Sequence, residues 1–329
     1  MTNLLSSTDR VSATAVVVSV VIPARNAAAT LDATLWSVRQ QTFAHWEVVV
    51  VNDGSTDATA EVVQRHSLED ARIRCVTGRS RGVSAARNLG VASSEGAVIA
   101  FLDADDLWLP GKLAAHVDFL GTQPEVGMAF DRIRFVDAQA RPTPVLSTSR
   151  VHGLHSADLL YENPACTAST LVMRREAFDQ IGGFDESLNH AEDLELMIRL
   201  RATTAWRLEG LNEVLTHYRA SAQGASAGLQ RMQDGWERVM RKVQQYAPEL
   251  LRTHGRHARA VHQRYLARRA LRLGLPAREG LHWWRLAWRS SPSALLRQPR
   301  RSLGTLLGLL ASAAGQRARQ ICPSVGSAA

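Results

Sequence analysis

The sequence predicts an α/β protein: a central, mostly parallel sheet with helices on both faces, followed by a basic helical region. Three observations predict it. Strand and helix signals alternate from Val16 to Asp106. The strands are near-continuous runs of Val and Ile, as expected of parallel strands covered on both faces. From Leu229 onward the strand signals cease and arginines accumulate.

The elements follow in order. "VVVSVVIP" (Val16 to Pro23) is a buried strand that Pro23 ends. In "TLDATLWSVRQQT", Leu31, Leu35 and Val38 recur at helical spacing, with Thr30 as the expected N-cap. "WEVVVVNDGSTD" is a second strand breaking into a turn at Asn52-Asp53-Gly54, and "STDATAEVVQRH" starts a helix capped near Ser55 or Thr56. "RIRCVTG" is a third strand, "GVSAARNLGVASS" a short helix and "AVIAFLDADD" a fourth strand. From Gly127 the pattern is mixed: "GMAFDRIRFVDAQAR" reads as an antiparallel strand and turn, and "STLVMRREAFDQIGGF" as strand, helix and Gly-Gly turn. "AEDLELMIRLRAT" is a helix and "AWRLEGLNEVLTHYR" a pair of strands. "YLARRALRLGLPAREGLHWWRLAWRSSP" reads as two helices broken at Gly274-Leu275-Pro276, the second with Leu281, Trp284 and Trp288 on one face.

These signals divide the 329 residues into a disordered tail over 1–15, a sheet domain over 16–228, a basic helical region over 229–320 and a disordered tail over 321–329. The net charge of +8 hides an asymmetry: residues 230–329 hold 19 Lys+Arg against 4 Asp+Glu, the remainder 20 against 27. An acidic module joined to a basic one implies different partners for each. The three cysteines are far apart with no CxxC pair, which excludes a disulfide framework and fits a reducing, cytoplasmic compartment. The first residues lack a basic stretch before an apolar core, so no secretory signal is expected. "SLGTLLGLLASAAG" falls short of the roughly 20 residues a spanning helix needs, so no transmembrane helix is expected.

In sheets of this kind ligands bind outside the carboxyl ends of the strands. Three strand ends carry polar turns: Pro23-Ala24-Arg25-Asn26, Asn52-Asp53-Gly54 and Asp103-Ala104-Asp105. All three are expected to open onto one crevice. "FLDADDLWLP" puts Asp103, Asp105 and Asp106 within four positions, and a hard divalent cation is the simplest counter to that charge. A solvated turn or a helix N-terminus would also accept these aspartates. Asp53 reads either as a turn residue before Gly54 or as an acceptor for a base N–H. Arg25 and Arg87 read as diphosphate or carboxylate partners, or as surface arginines. Glu192 and Asp193 open a helix, where acids complement the dipole. Their other reading is a general base, the group that an attacking hydroxyl needs.

Taken together, "VSVVIPARNAAATLDATLWSVRQQTF", "WEVVVVNDGSTDAT", "RGVSAARNLGVASSEGAVIAFLDADDLWLPGKL", "STLVMRREAFDQIGGFDESL" and "AEDLELMIRL" resemble the family 2 nucleotide-sugar glycosyltransferases of GT-A, Rossmann-like fold. The resemblance covers Val16 to Ser226 and carries the 16–228 domain. It implies that Pro23, Arg25 and Asn26 line the nucleotide pocket, that Asp53 contacts the base, commonly uracil, and that Arg87 and Asn88 support this side. It implies an Asp-x-Asp motif in which Asp103 faces ribose and metal and Asp105 ligates Mn2+ or Mg2+. It makes Asp193 the base, with Glu192 beside it, in a single inverting displacement from a nucleoside-diphosphate sugar to a hydroxyl of a glycan or lipid-linked saccharide. The implied setting is cell-surface polysaccharide biosynthesis. One departure stands out: relatives often carry a histidine two residues after the tyrosine–arginine pair, where this chain has Ser221, with His217 on the pair's other side.

The basic tail lies outside the resemblance. Many arginines with Trp283, Trp284 and Trp288 suit a helical hairpin docked on the enzyme, or an anionic membrane surface reached through residues 230–329 at the inner face of the cell membrane. Nucleic acid would rest on charge alone, with no recognised motif. Two rival functions remain. A sugar-phosphate nucleotidyltransferase would carry a Gly-rich phosphate loop after the first strand, and "PARNAAATL" has no glycine. A non-enzymatic nucleotide- or polyanion-binding module would leave Glu192 and Asp193 without a role.

Overall fold

The computed structural model describes residues 17–219 and 228–321. In chain order the elements are β1 (Val18–Ala24), α1 (Leu31–Arg39), β2 (Trp46–Asn52), α2 (Thr59–Glu69), β3 (Ile73–Thr77), α3 (Val83–Ala92) and β4 (Val98–Phe101). There follow β5 (Leu107–Trp108), α4 (Lys112–Thr122), β6 (Val126–Val136), β7 (Pro142–Leu146), α5 (Ser156–Tyr161), β8 (Val172–Arg174), α6 (Arg175–Ile181), α7 (Glu192–Thr203) and β9 (Arg207–Arg219). The chain ends in α8 (Leu229–Tyr246), α9 (Pro248–Arg272), α10 (Ala277–Ser290), α11 (Pro292–Leu296) and α12 (Pro299–Ile321). The expected tail over 1–15, and all but Ile321 of the one over 321–329, lie outside the described residues.

Contacts group the chain into two units, 1–152 with 165–187 and 206–220, and 153–164 with 188–205 and 221–329. This differs from the expected boundary at 228. α7 belongs with the helices, because Leu194, Met197 and Ile198 are buried and the helix packs on α5 and α8. Amphipathic spacing showed that α7 buries a face but could not show against what.

The first unit is one sheet in the order β3-β2-β1-β4-β8-β6-β9-β5, with β7 beside β6. The first four strands are parallel, with Val20 opposite Val48 and Ala100. Beyond β4 the sheet is mixed: β8 joins β4 and β6 antiparallel, β9 lies parallel to β6, and β5 is antiparallel to β9. The mostly parallel description therefore holds for the β3-β2-β1-β4 half only. The pair of strands expected at Ala205–Arg219 is one continuous strand, β9.

The period of two along a strand sends its side chains to opposite faces. Val18, Val20 and Ile22 of β1 join Leu31, Leu35 and Val38 of α1 and Val63 of α2 in one core. Val49 and Val51 of β2 face Ala86 of α3 on the other side. α3 lies close to the sheet because Gly90 has no side chain: a Cβ there would fall 2.4 Å from Val21 Cγ1. The strand order reverses between β1 and β4, which opens a crevice at their carboxyl ends.

In the second unit, α9 and α10 form a helical hairpin with Leu266, Ala270, Trp283 and Leu309 in its core. Gly280, Trp283 and Ala287 are buried on α10, while Leu281 and Trp284, expected to share a face with Trp288, pack half-buried against the same cluster. Trp284 and Trp288 stack at 5.8 Å, and Trp288 is exposed.

Candidate active site

β4 delivers the acidic turn. Phe101 and Leu102 are fully buried, and Phe101 meets the rings of Phe178 and Phe184 at 6.0 and 5.0 Å. The turn closes by a bond from Asp106 N–H to Asp103 O of 3.1 Å. α1 fixes it from the side: Thr30 Oγ1 donates to Ala104 O at 2.8 Å, and Thr34 Oγ1 to Ala104 O and Asp106 O at 3.1 and 2.9 Å. Thr30 makes no side-chain cap, so its expected capping role gives way to this one.

The three aspartates sit in different surroundings. Asp103 takes the Arg87 guanidinium at 2.6 Å on one oxygen and the Thr167 hydroxyl at 3.2 Å on the other. Arg87 is buried, and its guanidinium carbon lies 5.2 Å from the Phe184 ring. Asp106 is buried, accepting from Ser169 Oγ at 2.6 Å and from Arg219 N–H at 2.9 Å. Burial, then Asp103 and Asp105, push its carboxyl well above the usual range. Asp106 is thus no solvated turn residue: it ties β9 and the 3-10 turn Ala168–Thr170 to the end of β4.

Asp105 differs from both. Among the described residues no side chain donates to its carboxylate at hydrogen-bond distance; Arg219 Nε reaches only its backbone carbonyl, at 2.9 Å. Burial and then the charge of Asp103 push Asp105 up to about 6. Among the described residues no three His, Cys, Asp or Glu side chains form a metal cage. An open, half-buried carboxylate of raised pKa fits a divalent cation whose other ligands are not protein side chains. Asp103, with both oxygens engaged, fits direct ligation less well.

Beneath the turn lies a buried ion pair between Lys112 and Asp131, with Lys112 Nζ donating to Thr216 Oγ1 at 3.1 Å. His116 Nε2 lies 3.1 Å from the same Asp131 oxygen. Burial, then Lys112, push His116 down to about 4, so the imidazole is neutral at pH 7. Burial would raise Asp131, but the Lys112 charge and the His116 contact hold it below its usual value.

The other two strand ends are latched together. Asn26 accepts from Thr56 N–H at 2.8 Å and donates from its own N–H to Ser55 Oγ at 3.0 Å. Asp57 accepts from Ala28 N–H at 3.0 Å and Thr59 N–H at 3.1 Å. Ser55 and Thr56 thus hold the loop instead of capping α2, whose N-cap position is Ala58. Pro23 is half-buried at the end of β1, and Arg25 is exposed beside it. Asp53 is buried, with one oxygen taking Gly82 N–H at 3.0 Å. Its other oxygen lies against Gly78, where a Cβ would come within 2.6 Å. Asn88 clamps the loop after the Gly-Gly turn, accepting from Phe184 N–H and donating to Phe184 O, both at 2.9 Å. The three polar strand ends thus lie at the carboxyl ends of neighbouring strands, with Asn26 and Asn88 engaged in holding loops.

His217 lies in β9 opposite Leu107 and Arg134. Burial, then Arg134, lower its pKa. Ser221 lies outside the described residues.

In the second unit Ala191 takes a left-handed backbone (φ 56°) just before α7. Asp193 is buried; Asn163 Nδ2 donates to its Oδ2 at 2.9 Å, and Leu194 N–H to its Oδ1 at 2.8 Å. Glu192 is half-buried beside it. Thr30, Thr34, Thr167, Ser169 and Asn163 were not anticipated from sequence. Thr34 left one signal, a hydroxyl on the apolar face of α1, where it is fully buried.

Comparison with known proteins bears on the family and the fold. The profile of the family described as glycosyl transferase family 2 matches residues 19–182. The Bacillus subtilis (strain 168) glycosyltransferase TuaG, named for teichuronic acid biosynthesis, is 30% identical over 205 residues, covering 61% of this chain and 78% of that protein. The Escherichia coli UDP-Glc:α-D-GlcNAc-diphosphoundecaprenol β-1,3-glucosyltransferase WfaP is 29% identical over 64% of this chain and 80% of its own. Among solved structures, the mannosyltransferase PcManGT of Pyrobaculum calidifontis, in complex with GDP-Man and Mn2+, superposes with a TM-score of 0.60 at 20% identity, over 91% of this chain and 86% of that one. S. aureus TarS 1–349 with UDP-GlcNAc gives 0.57 at 18% identity, over 86% and 92%.

Proposed function

This chain belongs to glycosyl transferase family 2, and we propose that it moves a sugar from a nucleoside diphosphate, UDP by preference, to a hydroxyl of a glycan or lipid-linked saccharide, with inversion. It is a glycosyltransferase of GT-A fold. The observation that carries the proposal is the division of labour among three aspartates at the β1/β4 crevice: one anchored, one buried and one open.

Asp105 would hold Mn2+ or Mg2+, and the cation, when bound, offsets the charge that develops on the leaving diphosphate. Arg87 and Thr167 keep Asp103 turned aside for the ribose and the cation's outer ligands. Asp53 presents an oxygen to a base N–H while Gly82 fixes the other. Pro23 and Arg25 border the nucleotide. Asp193, oriented by Asn163, takes the proton of the attacking hydroxyl, with Glu192 beside it. Attack from the face opposite the diphosphate inverts the anomeric centre.

Two relatives support a role in cell-surface polysaccharide: one is named for teichuronic acid biosynthesis, the other for a diphosphoundecaprenol acceptor. We read residues 230–329, with 19 basic and 4 acidic side chains, as meeting an anionic membrane surface at the cytoplasmic face. No helix among the described residues is long and apolar enough to cross a membrane.

A thermal-shift screen of UDP-, GDP- and dTDP-sugars with and without Mn2+ tests the donor. The expected result is stabilisation by a UDP-sugar that grows with Mn2+. Equal stabilisation with and without the cation would remove the metal, and no response to any nucleotide sugar would remove the donor.

A further inference from the structure

α12 buries a partly polar side and exposes an apolar one. A surface helix ordinarily buries its apolar stripe and shows its polar one. Here the buried positions include Ser302 and Thr305 beside Leu309. Ser302 Oγ donates to Leu295 O at 2.8 Å and accepts from Arg264 at 3.2 Å, and Gln316 accepts from Ala277 N–H at 3.1 Å. The opposite side carries Leu303, Leu307 and Leu310, exposed to 56, 56 and 49%. Exposed Ala311 and Ala314 continue the stripe. Their spacing of three and four places all five on one helix face.

The helix has partners for the side that carries Ser302, Thr305 and Leu309, and none among the described residues for Leu303, Leu307 and Leu310. No charged residue stands from Ser302 to Gln316, while Arg297, Arg300 and Arg301 precede that stretch and are exposed. Exposed Leu296 lies just ahead. At 1.5 Å per residue the uncharged stretch is about 22 Å long, too short to cross a bilayer and suited to lying on one. A second copy is the other candidate occupant. It would bring two regions of 19 basic and 4 acidic residues together, whereas an anionic surface complements them.

We propose that the Leu303–Leu307–Leu310 face of α12 inserts into the headgroup layer of an anionic bilayer, with Arg297, Arg300 and Arg301 on lipid phosphates. The inference rests on the reading of residues 230–329 as membrane-facing and names the element that does the work. In it the charge draws the protein to the surface and the leucines hold it there.

The test is co-sedimentation of the full chain with vesicles of phosphatidylcholine alone or in equal parts with phosphatidylglycerol. Wild type is expected on the anionic vesicles. The L303S/L307S/L310S variant should bind them at least tenfold more weakly, with unchanged melting temperature and unchanged thermal shift by the UDP-sugar. L303M/L307M/L310M should bind as wild type does. Should the triple serine change unfold the chain, L307S alone must still weaken binding. If wild type ignores anionic vesicles, the membrane reading of 230–329 falls and this inference with it. If the serine variant binds as well as wild type, charge alone carries binding and the leucine face is wrong. If lipid-free wild type sediments as a dimer and the serine variant as a monomer, the face meets a second copy and the proposal is overturned.

Discussion

Replacing Asp105 by Asn should stabilise the cation-free protein at neutral pH while weakening its cation-dependent function. Asp105 has an ordinary value of 3.8, which the fold raises to about 6 through burial and then the charge of Asp103. A raised carboxyl pKa means that the folded state holds its proton more tightly than the unfolded state. Below pH 3.8 both states are protonated and nothing is lost. Across the window from 3.8 to about 6 the unfolded chain releases its proton first, so stability falls as pH rises, and it stays lower above. Two units at 1.36 kcal/mol each set an upper bound of about 3 kcal/mol. The coupling to Asp103 and the partial exposure of the site reduce this to about 1–2 kcal/mol. For a chain of 329 residues that corresponds to about 1.5–3 °C in melting temperature. The assay is thermal unfolding of wild type and D105N in EDTA from pH 4 to pH 8, repeated with Mn2+ and UDP. The variant should melt higher than wild type at pH 8, by about the amount above, and equal it near pH 4. Mn2+ with UDP should raise wild type and leave D105N nearly unmoved. If D105N is no more stable than wild type at pH 8 in EDTA, the ionised Asp105 is not a cost to the apo fold and the reasoning fails.

Three further outcomes are expected. D193N should lose about 10²–10⁴-fold in transfer, the range a general base supplies, while UDP-sugar affinity measured by calorimetry stays nearly unchanged; wild-type turnover in that variant would rule Asp193 out. R87M removes the guanidinium held 2.6 Å from Asp103 and should cost about 3 kcal/mol in EDTA at pH 8 by denaturant titration. K112M should cost about 3–5 kcal/mol because it leaves Asp131 charged and buried, and K112M/D131L should recover much of that loss; a double variant no better than the single one would mean that packing, not the ion pair, sets the effect.

Legibility in the sequence differed residue by residue. Val20, Ile22, Leu31, Leu35 and Val63 are core positions, as their periodicity required. α7 and the α9–α10 break were equally readable. The sheet beyond β4 was not, because "GMAFDRIRFV" is long enough to pair on both sides and no local signal says with which strand or in which sense. Asp106 went unrecognised because it sits in the same quoted run as Asp103 and Asp105; only its distance from Ser169 and from the backbone of Arg219 separates it from them. Asn163 was unreadable because it stands 30 positions from the Asp193 it orients.

By itself the sequence determined what depends on period and order: an α/β unit, polar turns at three strand ends, a carboxylate-rich fourth strand end, and a basic helical second half. Tertiary structure decided which carboxylate is free. Asp103, Asp105 and Asp106 are chemically identical and nearly adjacent, so composition cannot rank them. Arg87, Thr167, Ser169 and Arg219 arrive from three other parts of the chain and engage two of the three. Spatial convergence of distant segments, not local pattern, sets charge and hydrogen bonding at a site, and it leaves Asp105 as the one of the three whose carboxylate no described side chain engages.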